Sequence, residues 1–288
     1  MRGFPRIDTH AHIFEPGLPT IRSARYVPSY PARLDEYLKT LTANGMDRGV
    51  LVQPSFLGTD NSYLLAALAA APDRLRGVIV VPGKRPEVEL AEVKVDALTR
   101  GGVRGIRLNL IGQQIPDLGT KTWQQAATTL ARHGWHVEIQ ATPRQWRDLN
   151  PVVDEWPSKL VIDHFGLPDP TQMEGVDSVV ELAAKEHVWV KFSAPYRSSA
   201  EDAERIFNRL RNQGSTERLV FGSDWPFTRF EDNTYSDILT WAESLAGEEL
   251  AQAIMGDNAC RLLGWDTEAG GHADNAARGG KQGHAVLN

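Results

Sequence analysis

Cysteine is nearly absent. Cys260 is alone in 288 residues, so an intrachain disulfide and a cysteine-built metal cluster are both excluded. No apolar run is long enough to span a bilayer, and the opening "MRGFPR" lacks the apolar core of a signal peptide. A cytoplasmic protein is therefore expected. A basic excess is missing as well, since the formal net charge is -6 with both signs mixed along the chain. A nucleic-acid or membrane-surface binder would need a basic face, so neither partner is expected. The charge balance does not exclude a few arginines gathered in one pocket. What is present is 41% hydrophobic residues against 24% charged, the balance of a globular chain with a sizeable core.

The chain alternates between two patterns. Short β-branched runs occur at "PRIDTHAHIF", "RGVLVQPS", "RGVIVVP", "GVRGIRLNLI", "WHVEIQAT", "KLVIDHFG", "VWVKFSAP" and "RLVFGSDWP". Segments of helical period lie between them, such as "RLDEYLKTLTANG" and "TWQQAATTLARHG", with Gly45, Gly101 and Gly134 where helix C-caps belong. Eight such units predict an α/β fold, a single (β/α)₈ TIM barrel in which strand eight pairs with strand one. A doubly wound open sheet rarely has eight evenly spaced units. "GEELAQAIMGDNACRLLGW" reads as extra C-terminal helices closing a domain over 1–265. The stretch 266–288, rich in Gly, Ala and polar residues, reads as a disordered tail, which removes His272 and His284 from the search for a site.

Chemistry in such barrels sits at the C-terminal strand ends, and inward positions alternate with outward ones. In "IDTHAHIF" this places Asp8, His10 and His12 inward, with Ile7, Thr9, Ala11 and Ile13 outward. Asp8 lies deeper and reads as a buried hydrogen-bonding residue. Strand four points Gly105, Arg107 and Asn109 inward, and strand five His136, Glu138 and Gln140. Strand seven groups Trp189, Lys191 and Ser193, and strand eight Val220, Gly222 and Asp224. In strand six, Val161, Asp163 and Phe165 share one parity and Ile162 and His164 the other. His12, His164 and Asp224 fall at or near strand ends, and barrel closure brings Asp224 beside the first-strand histidines.

Other residues have plainer readings. His133 fits a helix C-terminus, where the dipole favours it. His136 starts its strand, about 13 Å from Gln140, and His187 precedes strand seven, so both sit at the wrong end. An inward Arg107 needs a carboxylate or a ligand anion, because unpaired burial is costly, and Glu138 is one available partner. Arg197 in "SAPYRSS" reaches toward the mouth or into solvent, while Arg104 has outward parity.

"IDTHAHIF", "VIDHFG" and "GSDWPF", in that order, resemble the amidohydrolase superfamily. The similarity is strongest to the branch of 2-pyrone-4,6-dicarboxylate lactonase and the sugar-lactone hydrolases. "YVPSYPA", "VLVQPSFLGTDN", "GVRGIRLNL" and "DNACRLLGW" carry the resemblance from about Ile7 to Trp265. It implies a hydrolase that opens a small carboxylated lactone, a pyrone dicarboxylate or a sugar lactone. Asp224 would be general base on water, and His10, His12 and His164 would polarise the carbonyl. It further implies that Arg107 and Arg197 hold substrate carboxylates, with Asn109, Tyr196, Ser55 and Gln53 lining the pocket.

Metal-dependent members of the superfamily use strand-four and strand-five ligands, where this chain has Arg107, Asn109 and Gln140. None of these suits a divalent ion, which disfavours a two-metal site. The preferred expectation is no cofactor. The alternative is one Zn²⁺ on His10, His12 and Asp224 with His164. Other readings are a metal-dependent non-oxidative decarboxylase of an aromatic acid, a lactone isomerase, and a non-catalytic barrel binding an anionic metabolite. The expected partner is a small anionic substrate, and a homo-oligomer is left open.

Overall fold

Runs of Val, Ile and Leu favour extended backbone, and here each is too short for anything but one strand of a barrel. The structure, a computed structural model, describes residues 5–265. The expected tail with His272 and His284 lies outside the described residues. The strands are β1 (Ile7–Ala11), β2 (Arg48–Val52), β3 (Leu75–Ile79), β4 (Val103–Asn109), β5 (His136–Gln140), β6 (Lys159–Ile162), β7 (Val188–Ser193) and β8 (Leu219–Gly222). All neighbours pair in parallel, in chain order. Closure follows from two backbone bonds at the seam, His12 N–H to Trp225 O and Asp224 N–H to His10 O, both 2.8 Å.

Helices fill the connections as the periodicity predicts. They are α1 (Leu34–Ala43), α2 (Ser62–Ala70), α3 (Pro86–Glu89), α4 (Glu92–Arg100), α5 (Lys121–Arg132) and α6 (Pro143–Val153). After them come α7 (Met173–Ala183), α8 (Ala200–Asn212) and α9 (Tyr235–Ala246), and the closing α10 (Glu248–Met255) and α11 (Asp257–Leu263). Thr120, Thr142, Ser199 and Thr234 cap α5, α6, α8 and α9 with their hydroxyls, each accepting from a backbone N–H of the first turn. No helix among the described residues is long and apolar enough to cross a membrane.

The strict alternation expected of β1 fails at one point. Asp8 pairs with Gly49, but the next partners are Ala11 and Leu51, so the first strand carries one residue more than the second. This bulge re-aims the side chains around it. Ile7 joins the apolar residues inside the barrel, and Asp8 turns outward to the hydroxyls of Tyr37 on α1 (3.0 Å) and Tyr235 on α9 (3.2 Å). His10 and His12 keep their inward aim. At the bulge the Thr9 hydroxyl donates to Phe221 O at 2.7 Å, joining β1 to β8 through a side chain.

Two apolar layers result. Outside the strands, Leu51, Ile106, Val137 and Phe192 pack with Trp123, Trp146 and Phe207 of the helices. Inside, Ile7, Val50, Val52, Val78, Val161, Trp189 and Val220 form a plug, covered by Leu262 and Leu263 of α11 and by Trp265. The guanidinium carbons of Arg48 and Arg76 lie 4.8 and 4.1 Å from the Trp265 ring centroid, a cation–π arrangement over the end of the plug. Trp265→Ala should therefore cost about 3–5 kcal/mol. Thermal unfolding is the check, with a drop of roughly 10 °C expected for a chain of this size; an unchanged midpoint would mean that the plug does not depend on this cover.

Candidate active site

The residues at the mouth are placed by unusual backbone. β6 ends at Ile162, and His164 then adopts φ 49° and ψ 52°, a left-handed conformation. Alternation is lost there, so Asp163 and His164 both reach the inside, while Phe165 turns out to Phe192 and Trp241. Ala194 after β7 and Asp224 after β8 also have positive φ, 48° and 62°. Each such residue outside glycine costs about 1–3 kcal/mol, which the surrounding packing must supply. Gly222 serves by absence: a Cβ there would come within 2.7 Å of the His10 Cβ.

Four polar atoms converge above the plug. Asp224 Oδ1 lies 3.7 Å from His10 Nε2, 3.6 Å from His12 Nε2 and 4.0 Å from His164 Nε2. The other carboxylate oxygen, Oδ2, accepts from Tyr196 OH at 2.8 Å and Arg197 Nε at 2.6 Å. Asp224 Oδ1 and His164 Nε2 are buried without a hydrogen-bond partner among the described residues. Burial alone would raise the Asp224 carboxyl, but the Arg197 charge and the neighbouring imidazoles hold it well below the usual carboxylate range. Burial lowers His164 to about 3 against the pull of Asp224 and Asp163, so its imidazole is neutral at pH 7.

Beneath them lies a layer of charge. Arg107 donates to Asp163 Oδ2 through Nε (3.2 Å) and Nη2 (3.1 Å), and to Gln140 Oε1 at 2.9 Å. Asp163, rather than Glu138, is thus its main partner. Glu138 Oε2 accepts from Lys191 Nζ, which also lies 2.7 Å from His10 Nδ1 and 3.4 Å from Asp163 Oδ1. Two cations and two carboxylates balance. Desolvation and the nearby Asp163 charge push the Glu138 carboxyl up to about 7, and its cationic neighbours hold Asp163 well below the usual range despite burial.

Hydrogen bonds fix two of the imidazoles. Lysine can only donate, so Lys191 assigns His10 Nδ1 as acceptor and leaves the ring proton on Nε2. The Val52 carbonyl can only accept, so His12 carries its proton on Nδ1 (2.7 Å) and a lone pair on Nε2. The 3.2 Å contact between the two Nε2 atoms is then a donor–acceptor pair. Two groups have the composition of a cation site, His10 with His12 and Asp224, and His10 with Asp163 and His164. Both require a lone pair from His10. An ion at either group would have to displace the proton on His10 Nε2 or the ammonium of Lys191 from His10 Nδ1.

A cavity of about 220 Å³ opens above His12. Arg107, Asn109, Gln140 and Ser55 are among the residues that line it. Arg25, Arg197 and Arg229 complete a set of four arginines at its wall. Gln53 is not among the lining residues; its amide donates to Gly58 O and Asp60 O, bracing the loop that carries Ser55. Tyr196 acts on Asp224 as described. Glu231 Oε1 accepts from Tyr26 OH, Tyr30 OH and the Arg229 N–H at 3.0, 2.9 and 2.8 Å, tying the loop after β1 to the loop after β8. Burial and the charges of Arg229, Arg107 and Arg197 lower the Arg25 guanidinium from its ordinary value.

Sequence reasoning missed Arg25 and Arg229, which sit in irregular loops without parity, and undervalued Asp163, Glu138 and Lys191. For Glu138 and Lys191 the signal was available, since both have inward parity. The plainer readings of the other histidines agree with their contacts: His133 pairs with Glu92 at 2.6 Å, and His187 bonds Val153 O at the far end.

A parallel barrel with imidazoles from strand one and strand six facing a carboxylate from strand eight is the plan of an enzyme of the amidohydrolase class. The chain belongs to the amidohydrolase family, whose profile matches residues 7–265. It is 27% identical over 285 residues to the 2-pyrone-4,6-dicarboxylate hydrolase of Comamonas testosteroni, covering 91% of this chain and 90% of that one. A candidate 2-pyrone-4,6-dicarboxylic acid hydrolase from Pseudomonas putida superposes with a TM-score of 0.81 at 37% identity, covering 93% of this chain and all of the other. A second from Acinetobacter baumannii, with citric acid bound, gives 0.83 at 33% identity, covering 90% and 99%.

The buried imidazoles set the response to acid. Burial lowers His136 to about 3 from an ordinary 6.5, so the folded chain binds fewer protons than the unfolded one between those values. Its contribution is complete above pH 6.5 and is lost as pH falls toward 3, and His10 and His164 act with the same sign. Glu138 opposes them, favouring the fold below about 4.5 and losing that contribution as pH rises through about 7. Burial raises the Asp8 carboxyl too, with the same sign as Glu138; with three imidazoles against these two carboxyls, the thermal midpoint should fall between pH 7 and pH 4.5. A midpoint that stays level or rises in scanning fluorimetry would contradict this balance.

Proposed function

We propose that this enzyme hydrolyses a small lactone bearing anionic groups, without a metal. The observation that carries the reading is the pair of unpartnered buried polar atoms, Asp224 Oδ1 and His164 Nε2, the first of them 3.6 Å from the His12 Nε2 that lines a cavity walled by four arginines. Buried polar atoms need partners, and only water or a substrate oxygen entering from the cavity can supply them here. The named activity of the Comamonas relative, a hydrolase of a pyrone dicarboxylate, agrees in both bond type and charge. The citric acid held by the Acinetobacter neighbour agrees in charge.

In the proposed reaction Asp224 Oδ1 accepts a proton from water as that oxygen attacks the lactone carbonyl. The tetrahedral oxyanion receives a hydrogen bond from His164 Nε2–H. The step requires Ser193 Oγ, 2.8 Å from His164 Nδ1, to donate to that nitrogen, which puts the proton on Nε2. Collapse breaks the bond to the ring oxygen, which takes the proton from Asp224 and yields the open hydroxy acid. A carboxylate held far below its ordinary pKa is a weak base. A substrate anion against the Arg197 terminal nitrogens draws part of that charge away from Asp224, so binding itself raises the basicity of the carboxylate. Arg25 and Arg229 offer guanidiniums with no carboxylate partner among the described residues, which suits a substrate with a second anionic group.

Two measurements test this. Asn tolerates left-handed backbone, so Asp224→Asn should keep the fold and lower kcat by about 10²–10⁴-fold on a panel of pyrone and sugar lactones assayed with chelator-treated enzyme. Full activity in that variant would sink the mechanism, and NMR of the product separates open acid from an isomeric lactone. Arg25→Met and Arg229→Met should each raise KM about tenfold or more on a dianionic lactone, with kcat little changed. An unchanged KM in both would remove the second anionic group from the proposal.

A further inference from the structure

The reaction just described uses Asp224, His164 and the arginines, and leaves unexplained why a lysine is buried behind His10. Lys191 is 1% exposed on β7, with no path to substrate, and three groups from three strands face its ammonium: His10 of β1, Glu138 of β5, and Asp163 just past β6. Charge balance accounts for the two carboxylates. It does not account for the 2.7 Å approach to an imidazole nitrogen.

The nitrogen it approaches is contested. Glu138 Oε1 and Asp163 Oδ1 each lie 3.4 Å from His10 Nδ1, and both oxygens lack a hydrogen-bond partner among the described residues. Either would accept a proton from Nδ1. Without the ammonium, His10 would therefore carry its proton on Nδ1 and turn a lone pair into the site. We infer that Lys191 is a positioning residue that selects the tautomer of His10, holding its proton on Nε2 and so keeping the base of the site a chain of N–H donors rather than a cluster of lone pairs.

The two states differ by one proton moved from Nε2 to Nδ1, with no change in total charge. In the first, Lys191 donates to His10, His10 to His12, and His12 to the Val52 carbonyl, so every ring is fixed in orientation. In the second, two Nε2 lone pairs oppose each other at 3.2 Å beside Asp224 Oδ1, an arrangement that repels itself unless a cation fills it. Lys191 would then decide whether one set of side chains is an organic acid–base site or a zinc site. Part of this inference rests on the lactone reading, and part does not, because a tautomer can be measured without any substrate.

The test uses Lys191→Met and, because that variant leaves Glu138 buried without its ammonium, the double variant Glu138→Met with Lys191→Met. Replacing a buried ion pair by apolar groups of similar volume is often neutral, so the double variant keeps the fold. Arg107 and Asp163 still pair in it, and Asp163 Oδ1 still faces His10. In ¹⁵N-histidine NMR, His10 should be protonated on Nε2 in the wild-type protein and on Nδ1 in both variants. Titration with Zn²⁺ alone should show affinity at least about tenfold higher in the variants, and metal-free kcat should fall roughly 10–100-fold with KM near the wild-type value. The inference is overturned if wild-type His10 carries its proton on Nδ1. It is equally overturned if the folded double variant keeps the wild-type tautomer and kcat, which would make Lys191 a counter-ion only. A tautomer that shifts as expected in a protein that opens no lactone would uphold the inference and refute the lactone reading instead.

Discussion

Four charges share the buried middle of the barrel, and the architecture above and below them depends on their cancelling. Isolated, any one of Arg107, Lys191, Glu138 and Asp163 would carry a desolvation cost of several kcal/mol. Together they come from four successive strands, β4 to β7 with the turn after β6, so the parallel barrel itself sets their spacing. The layer separates two regimes. Below it, valines and Trp189 close the lumen with α11, as in any well-packed interior. Above it, burial keeps His10 and His164 neutral, the Lys191 charge adds to this at His10, and hydrogen bonds to Lys191 and Ser193 hold the two rings.

The alternation of side chains makes most of this interior legible in the sequence. On β4, β5 and β7 the inward positions expected from sequence hold Arg107, Glu138, Gln140 and Lys191, because those strands pair with β-neighbours in uninterrupted register there. The expectation broke where the backbone leaves ideal pleating. The bulge in β1 turned Asp8 from the lumen to the tyrosines of α1 and α9, and the left-handed His164 brought two consecutive residues inside. Neither event has a marker such as glycine at the residue concerned. Arg25 and Arg229 were illegible for another reason: loops have no period, and their approach to the cavity is set by contacts between distant segments.

The departures from regular backbone gather on the catalytic side. His164, Ala194 and Asp224 follow β6, β7 and β8, all with positive φ, and the seam between β8 and β1 is made partly by the carbonyl and side chain of residues at the site itself. Asp8 works from behind this seam. Its carboxylate accepts from the Ser223 N–H at 2.8 Å and hydroxyl at 2.7 Å, fixing the residue just before Asp224. The buried hydrogen-bonding residue expected at Asp8 thus serves as an anchor on the outside, holding the strained turn that presents Asp224.

Glu231 has a role that its surface position conceals. One carboxylate oxygen gathers Tyr26, Tyr30 and the backbone of Arg229, so the loop bearing Arg25 and the loop bearing Arg229 are fastened to each other by a shared acceptor. Two guanidiniums of like charge are in this way kept near one another before any ligand arrives, with their mutual repulsion borne by the scaffold. On the proposed reaction an incoming dianion would meet a preset electrostatic gauge, and selectivity among lactones would be a matter of the distance between two charges more than of the shape of the ring that joins them.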